Sequence, residues 1–185
     1  MRIIGGSLRG TALASVGKGD TAAHLRPTTD RVRESLFNLL AHGDYPPIDG
    51  ARVLDLFAGT GALGFEALSR GAARALFVDD GAKSRALLRE NTDKLRMIGQ
   101  SKIYRRDATR MGENRAAPYG LVFLDPPYGK GLGGKALESC EKGGWLTDDA
   151  LIIWEESAAV AAPTGYALLD QRKYGDTTIT ILHRV

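Results

Sequence analysis

A single cysteine, Cys140, excludes an intramolecular disulfide and fits a reducing compartment. The three histidines, His24, His42 and His183, lie far apart without metal-ligand spacing, so no metal is expected. No apolar run approaches the roughly 20 residues that span a bilayer, and no membrane partner is expected. Met1-Arg2-Ile3-Ile4-Gly5-Gly6 lacks the apolar core of a secretory leader, so the expected location is cytoplasmic. Aromatics are sparse, at 7%, and Trp145 and Trp154 read as packing residues. Prolines number seven, and four of them form two pairs, Pro46-Pro47 and Pro126-Pro127.

What is present is an ordinary α/β composition, 43% hydrophobic and 25% charged over 185 residues. That length suits one domain with a small appendage. The net charge of +3 is unevenly placed. Residues 1–35 hold six bases (Arg2, Arg9, Lys18, Arg26, Arg31 and Arg33) against Asp20, Asp30 and Glu34, and residues 36–185 balance. A basic flank on a neutral domain points to a polyanionic partner.

Residues 1–27 read as a hairpin against the main domain or a flexible arm. Thr28-Thr29-Asp30 supplies N-cap residue types, and Val32, Leu36, Phe37, Leu39 and Leu40 follow at helical spacing, predicting a helix over 29–41. Strands are expected at 53–57, 75–78, 102–105, 121–124 and 150–154, and helices at 62–70, 82–98 and 133–141. Residues 167–173 and 177–184 flank Tyr174-Gly175-Asp176, a hairpin signal. Strand and helix are read as alternating five times, which implies a parallel sheet covered on both faces. The expected domains are an N-terminal extension, 1–45, and a main domain, 46–185. Strand ends face the ligand crevice in such sheets, and here they carry Asp55, Asp79, Asp107 and Asp125.

Gly59-Thr60-Gly61-Ala62-Leu63-Gly64 matches a nucleotide-cofactor fingerprint between a strand and a helix. Asp55 bears on the choice of cofactor. A carboxylate beside the loop opposes a pyrophosphate at the helix N-terminus but favours the cationic S-adenosylmethionine, through water or through the loop. Phe57, Ala58, Gly59 and Gly61 are the loop positions expected at the cofactor, with the Phe57 ring packing beneath. Asp79 suits ribose hydroxyls, Asp80 is the alternative, and Asp107 suits the adenine amine.

A strand over 121–124 runs directly into Asp125-Pro126-Pro127-Tyr128. Neither proline has an N–H, so the ladder stops and a stiff loop begins. An exocyclic amine on a base is a poor nucleophile, because its lone pair is delocalised into the ring. Two acceptors on its N–H groups, the Asp125 carboxylate and the Pro126 carbonyl, draw the nitrogen toward sp³ geometry. Tyr128 offers a ring to stack on a base that has left its own stack.

The segments Arg2-Ile3-Ile4-Gly5-Gly6, Leu25-Arg26-Pro27-Thr28-Thr29-Asp30-Arg31-Val32-Arg33-Glu34, Asp55-Leu56-Phe57-Ala58-Gly59-Thr60-Gly61 and Asp125-Pro126-Pro127-Tyr128 resemble the RsmD family of bacterial 16S rRNA guanine-N2 methyltransferases. The resemblance covers nearly the whole chain. It implies a Rossmann-like class I fold, with a seven-stranded mostly parallel sheet, a C-terminal antiparallel hairpin and a small N-terminal extension. It implies S-adenosylmethionine as methyl donor, S-adenosylhomocysteine as product, and a monomer acting on 16S rRNA within a small-subunit particle or assembly intermediate. It further implies RNA contact through Arg2, Arg9, Arg26 and Arg31, and closure of residues 26–34, Thr28 included, over the cofactor. The alternative is an adenine-N6 or other amine methyltransferase on RNA or DNA. An NAD-dependent oxidoreductase and a non-catalytic RNA-binding module fit the motifs less well.

Overall fold

The computed structural model describes residues 1–16 and 29–185. Arg26 and Thr28 lie outside the described residues. Seven strands form one sheet in the order β3-β2-β1-β4-β5-β7-β6. They are β1 (Arg52–Leu56), β2 (Arg74–Val78), β3 (Ser101–Tyr104), β4 (Tyr119–Leu124), β5 (Leu146–Glu156), β6 (Tyr166–Tyr174) and β7 (Thr177–Arg184). The first five run parallel, and β7 is antiparallel to both its neighbours, β5 and β6.

Among the described residues four helices cover the sheet: α1 (Asp30–His42), α2 (Ala62–Ser69), α3 (Ala82–Lys94) and α4 (Leu132–Lys142). Alternate strand residues serve two cores. Val53, Phe77, Phe123 and Ile153 face a layer that includes Leu36, Phe65 and Leu88 from α1, α2 and α3. Leu54, Val78, Val122 and Ile152 face Ala136, Leu137 and Cys140 of α4. Burial on both sides is why these strands read as nearly continuous apolar runs. In α1, Thr29 caps the first turn by accepting from the Val32 N–H at 3.3 Å, and Leu36, Phe37 and Leu40 form its buried stripe.

Two sequence expectations change. The helix read over 82–98 stops at Lys94, where Arg96 takes φ +55° and Leu95 and Met97 turn into the core. The fivefold alternation is broken between β3 and β4, where the crossover carries a single 3-10 turn, Ala108–Arg110. Asp107 caps that turn by accepting from the Thr109 N–H at 2.8 Å and the Thr109 hydroxyl at 2.7 Å. The chain winds outward from β1 to β3 and then returns to β4 on the other side of β1. In open α/β sheets such a reversal is where the ligand crevice forms, here beyond the carboxyl ends of β1 and β4.

Residues 1–13 fold as a hairpin, with Arg2 bridged to Ala12 and the Ile3 N–H donating to the Thr11 carbonyl at 2.9 Å. Ile3 is fully buried in the α1–α3 core.

Candidate active site

The loop after β1 holds three residues with positive φ in a row of five: Phe57 at 58°, Gly59 at 57° and Gly61 at 79°. Gly61 has no room for a side chain, because a Cβ there would lie 2.6 Å from the Phe65 ring and 2.7 Å from Leu88. Phe57 carries local strain where it turns the chain, and its ring packs on the α4-side core. The Ala58 N–H donates to the Val78 carbonyl at 3.1 Å, tying the loop to the end of β2.

Asp55 does not face the crevice. It shares the Val53 side of β1, is buried, and accepts the Gly64 N–H at 3.0 Å. Gly64 is the third residue of α2, so Asp55 satisfies a first-turn donor that has no partner within the helix. Burial pushes the Asp55 carboxyl up to about 8, against the lowering effect of the Gly64 bond. Asp55 therefore lies under α2 rather than at the crevice, and burial favours its neutral form over the charge expected to oppose a pyrophosphate. What it does is occupy one of the donors a phosphate would use.

Asp79 stands at the carboxyl end of β2 and binds the same loop. One oxygen accepts from the Gly59 N–H at 2.9 Å, and the other from the Gly81 N–H at 2.8 Å. Burial raises its carboxyl above the usual range, opposed by those two bonds. Asp80 is exposed, and its carbonyl accepts from the Arg85 guanidinium.

Asp125 follows β4 directly, its N–H 3.5 Å from the Leu56 carbonyl. Pro126 is buried, while Asp125, Pro127 and Tyr128 are half-buried. The Tyr128 hydroxyl donates to Glu155 Oε1 at 2.7 Å and lies 2.9 Å from Thr177 Oγ1. Burial raises the phenol well above its ordinary value, so it stays protonated. The geometry thus brings the glycine loop, Asp79 and Asp125-Pro126-Pro127-Tyr128 to the ends of three adjacent strands. Asp107 follows β3, one strand further out.

A family model described as Conserved hypothetical protein 95 matches residues 1–183. The chain belongs to that family. Ribosomal RNA small subunit methyltransferase D of Escherichia coli strain K12 is 39% identical over 188 residues, spanning 100% of this chain and 90% of the relative. The Haemophilus influenzae protein of the same name is 34% identical over 184 residues, spanning 95% and 89%. The solved structure of the Escherichia coli protein yhhF superposes with a TM-score of 0.82 at 38% identity, covering 100% of this chain and 97% of that one. The chain is accordingly a methyltransferase of the RsmD family, with the fold that resemblance implied.

Within this family member, the hairpin is fastened by residues that no sequence motif singles out. Glu66 of α2 is fully buried and accepts from the Ile4 and Gly5 N–H groups, both at 2.8 Å. It also meets Arg70 Nε at 2.9 Å and Arg33 Nη1 at 3.5 Å. A lone acid in an otherwise apolar helix was the available signal. Asn91 of α3 is fully buried and accepts the Ala14 N–H at 2.7 Å, while its amide donates to the Thr60 carbonyl at 2.9 Å. No pattern in the sequence marks it. Among the described basic residues of the flank, Arg2, Arg9 and Arg31 are exposed and Arg33 is fully buried. Arg2 lies 3.8 Å from Asp30.

Burial pushes the Cys140 thiol up to about 12, which leaves it without nucleophilic character. Among the described residues no group of three His, Cys, Asp or Glu side chains is placed to hold a metal, and no helix is long and apolar enough to cross a membrane.

Proposed function

We propose that this chain methylates the exocyclic N2 of a guanine in 16S rRNA, with S-adenosylmethionine as donor. The observation that carries the reading is the junction of Asp125-Pro126-Pro127-Tyr128 with β4, one strand from the positive-φ glycine loop. The names of the Escherichia coli and Haemophilus influenzae relatives, both small-subunit rRNA methyltransferases, support the substrate class.

The residues present fit the cofactor. The backbone of Phe57, Ala58, Gly59 and Gly61 gives a close approach without side chains at the two glycines. Asp79, already fixed by Gly59 and Gly81, has acceptor capacity left for a ribose diol, while Asp80 is turned to solvent. Asp107 accepts from Thr109 and retains its other oxygen for an adenine amine. S-adenosylmethionine, when bound, supplies an electrophilic methyl group on its sulfonium.

The chain's own residues prepare the amine. Asp125 and the Pro126 carbonyl accept its two N–H groups and localise the nitrogen lone pair. The nitrogen becomes cationic in transit, so Asp125 stabilises the transition state more than the ground state. Tyr128 holds the base by stacking, and the buried Pro126 keeps the loop from yielding. Arg2, Arg9 and Arg31, with Arg26, contact RNA phosphates from the N-terminal extension over 1–45, while Thr28 helps cover the cofactor.

The test is labelled-methyl transfer to naked 16S rRNA and to small-subunit particles, alongside titration with S-adenosylhomocysteine and NADH. The reading requires methyl incorporation and S-adenosylhomocysteine binding. NADH binding without S-adenosylhomocysteine binding contradicts it.

A further inference from the structure

Tyr128 stands immediately after two prolines, at a point where its ring has no helix or strand of its own to fix it. The fixing comes from elsewhere. Glu155, 4% exposed near the end of β5, accepts the phenol proton at 2.7 Å. Thr177, the first residue of β7, lies 2.9 Å from the same oxygen. Next along both chain segments, Glu156 Oε1 accepts the Gly129 N–H at 3.2 Å and the Ser157 N–H at 2.8 Å. The ring is thereby held at both ends, at its Cα by the proline loop and at its hydroxyl by two different strands.

Such a contact is more than packing in two respects. A hydrogen bond from the phenol to a buried carboxyl oxygen fixes the ring's hydroxyl end in direction as well as in distance. Donation of the phenol proton to an acceptor also raises electron density in the ring. An electron-rich face attracts positive charge. In the reaction proposed above, positive charge appears on the base held against that face.

We propose that Glu155, supported by Thr177, is a positioning residue for methyl transfer, acting through Tyr128. The inference rests on the reading of Tyr128 as the base-stacking residue. Glu155 does not touch the reacting atoms; it sets where the Tyr128 ring lies and how strongly its face holds the base.

The experiment is a double-mutant cycle on the full chain with 16S rRNA substrate, reading kcat, the KM for RNA and the affinity for S-adenosylhomocysteine. Glu155→Ala is expected to lower kcat by roughly tenfold, less than the roughly hundredfold that a 1 Å misplacement can cost. Affinity for S-adenosylhomocysteine is expected to stay within about twofold. Glu155→Gln, which keeps an acceptor, recovers part of the loss. In a Tyr128→Phe background, Glu155→Ala changes kcat less than about twofold, because the contact is already gone. If Glu155→Ala does not fold, Glu155→Gln and Thr177→Val replace it in the same cycle. Losses that multiply in the double variant, or an unchanged kcat in Glu155→Ala, overturn the proposal. Absence of methyl transfer to rRNA by the unaltered protein overturns the proposed function instead, so the two failures are distinguishable.

Discussion

Asp55 and Gly64 are joined by a 3.0 Å hydrogen bond that runs from the middle of the sheet to the first turn of α2. The bond helps set the angle at which α2 leaves the glycine loop. A Cβ at Gly64 would lie 2.4 Å from the Phe77 ring and 2.9 Å from the Asp55 carboxylate, so strand and helix touch here backbone to side chain. Asp55 therefore shapes the loop rather than charging the crevice.

That placement gives a pH dependence. Burial raises the folded-state value from 3.8 to about 8, so between those values the folded chain binds more protons than the unfolded one. Stability from Asp55 is full below about 4 and is lost as pH rises toward 8. Asp79, also raised, acts in the same direction. Urea unfolding of Asp55→Asn should show a flatter decline between pH 5 and pH 8 than the unaltered protein. An identical slope in both would remove this assignment.

Glu66 is the second structural test. Glu66→Ala leaves two backbone N–H groups unsatisfied and removes the longer of Arg33's two carboxylate contacts, Asp30 remaining at 2.5 Å. The expected cost is at least about 2 kcal/mol, from two donors left unsatisfied at about 1–3 kcal/mol each. Hydrogen exchange at the Ile4 and Gly5 amides should accelerate with it. Protection equal to that of the unaltered protein would show that Ile3, Ser69 and Asn91 hold the hairpin without Glu66.

Asn91 links the N-terminal segment to the glycine loop through Ala14 and the Thr60 carbonyl. Asn91→Ala should cost about 1–3 kcal/mol in stability, the range for a buried group left unsatisfied. It should also weaken S-adenosylhomocysteine binding several-fold, because Thr60 lies between Gly59 and Gly61. Calorimetric titration reads this directly; unaltered affinity would mean that the loop holds its shape without Asn91.

The strand ends and the glycine loop were legible because short apolar runs and positive-φ glycines have local causes. The direction of side chains within those runs was less so. Asp55 shares a face with Val53 by the two-residue period of a strand, and that period placed it under α2 rather than in the crevice. Arg33 stands three, four and seven residues before Leu36, Phe37 and Leu40, on the apolar face of α1, whereas Arg31 does not. Counting both as one basic flank missed that Arg33 is engaged by Glu66. Glu155 and Asn91 were not legible at all, because their partners lie 27 and 77 residues away and only the folded sheet brings them close.

The separation of Arg31 from Arg33 has a consequence for RNA. Replacing Arg2, Arg9 and Arg31 with Ala should reduce the slope of log affinity against log salt. The reduction is up to about 0.7 for each phosphate of single-stranded RNA that an arginine no longer neutralises. Arg33→Ala should lower stability more than it alters that slope, since the side chain is fully buried. Filter binding across a salt series separates the two; an undiminished slope in the triple variant would place the RNA on another surface.

The most direct test of the account is nucleoside mass analysis of 16S rRNA after incubation with the protein and S-adenosylmethionine. The account predicts N2-methylguanosine with the unaltered chain and none with Asp125→Ala, while S-adenosylhomocysteine still binds the variant. Methyl groups on adenine N6, or undiminished transfer by Asp125→Ala, would contradict it.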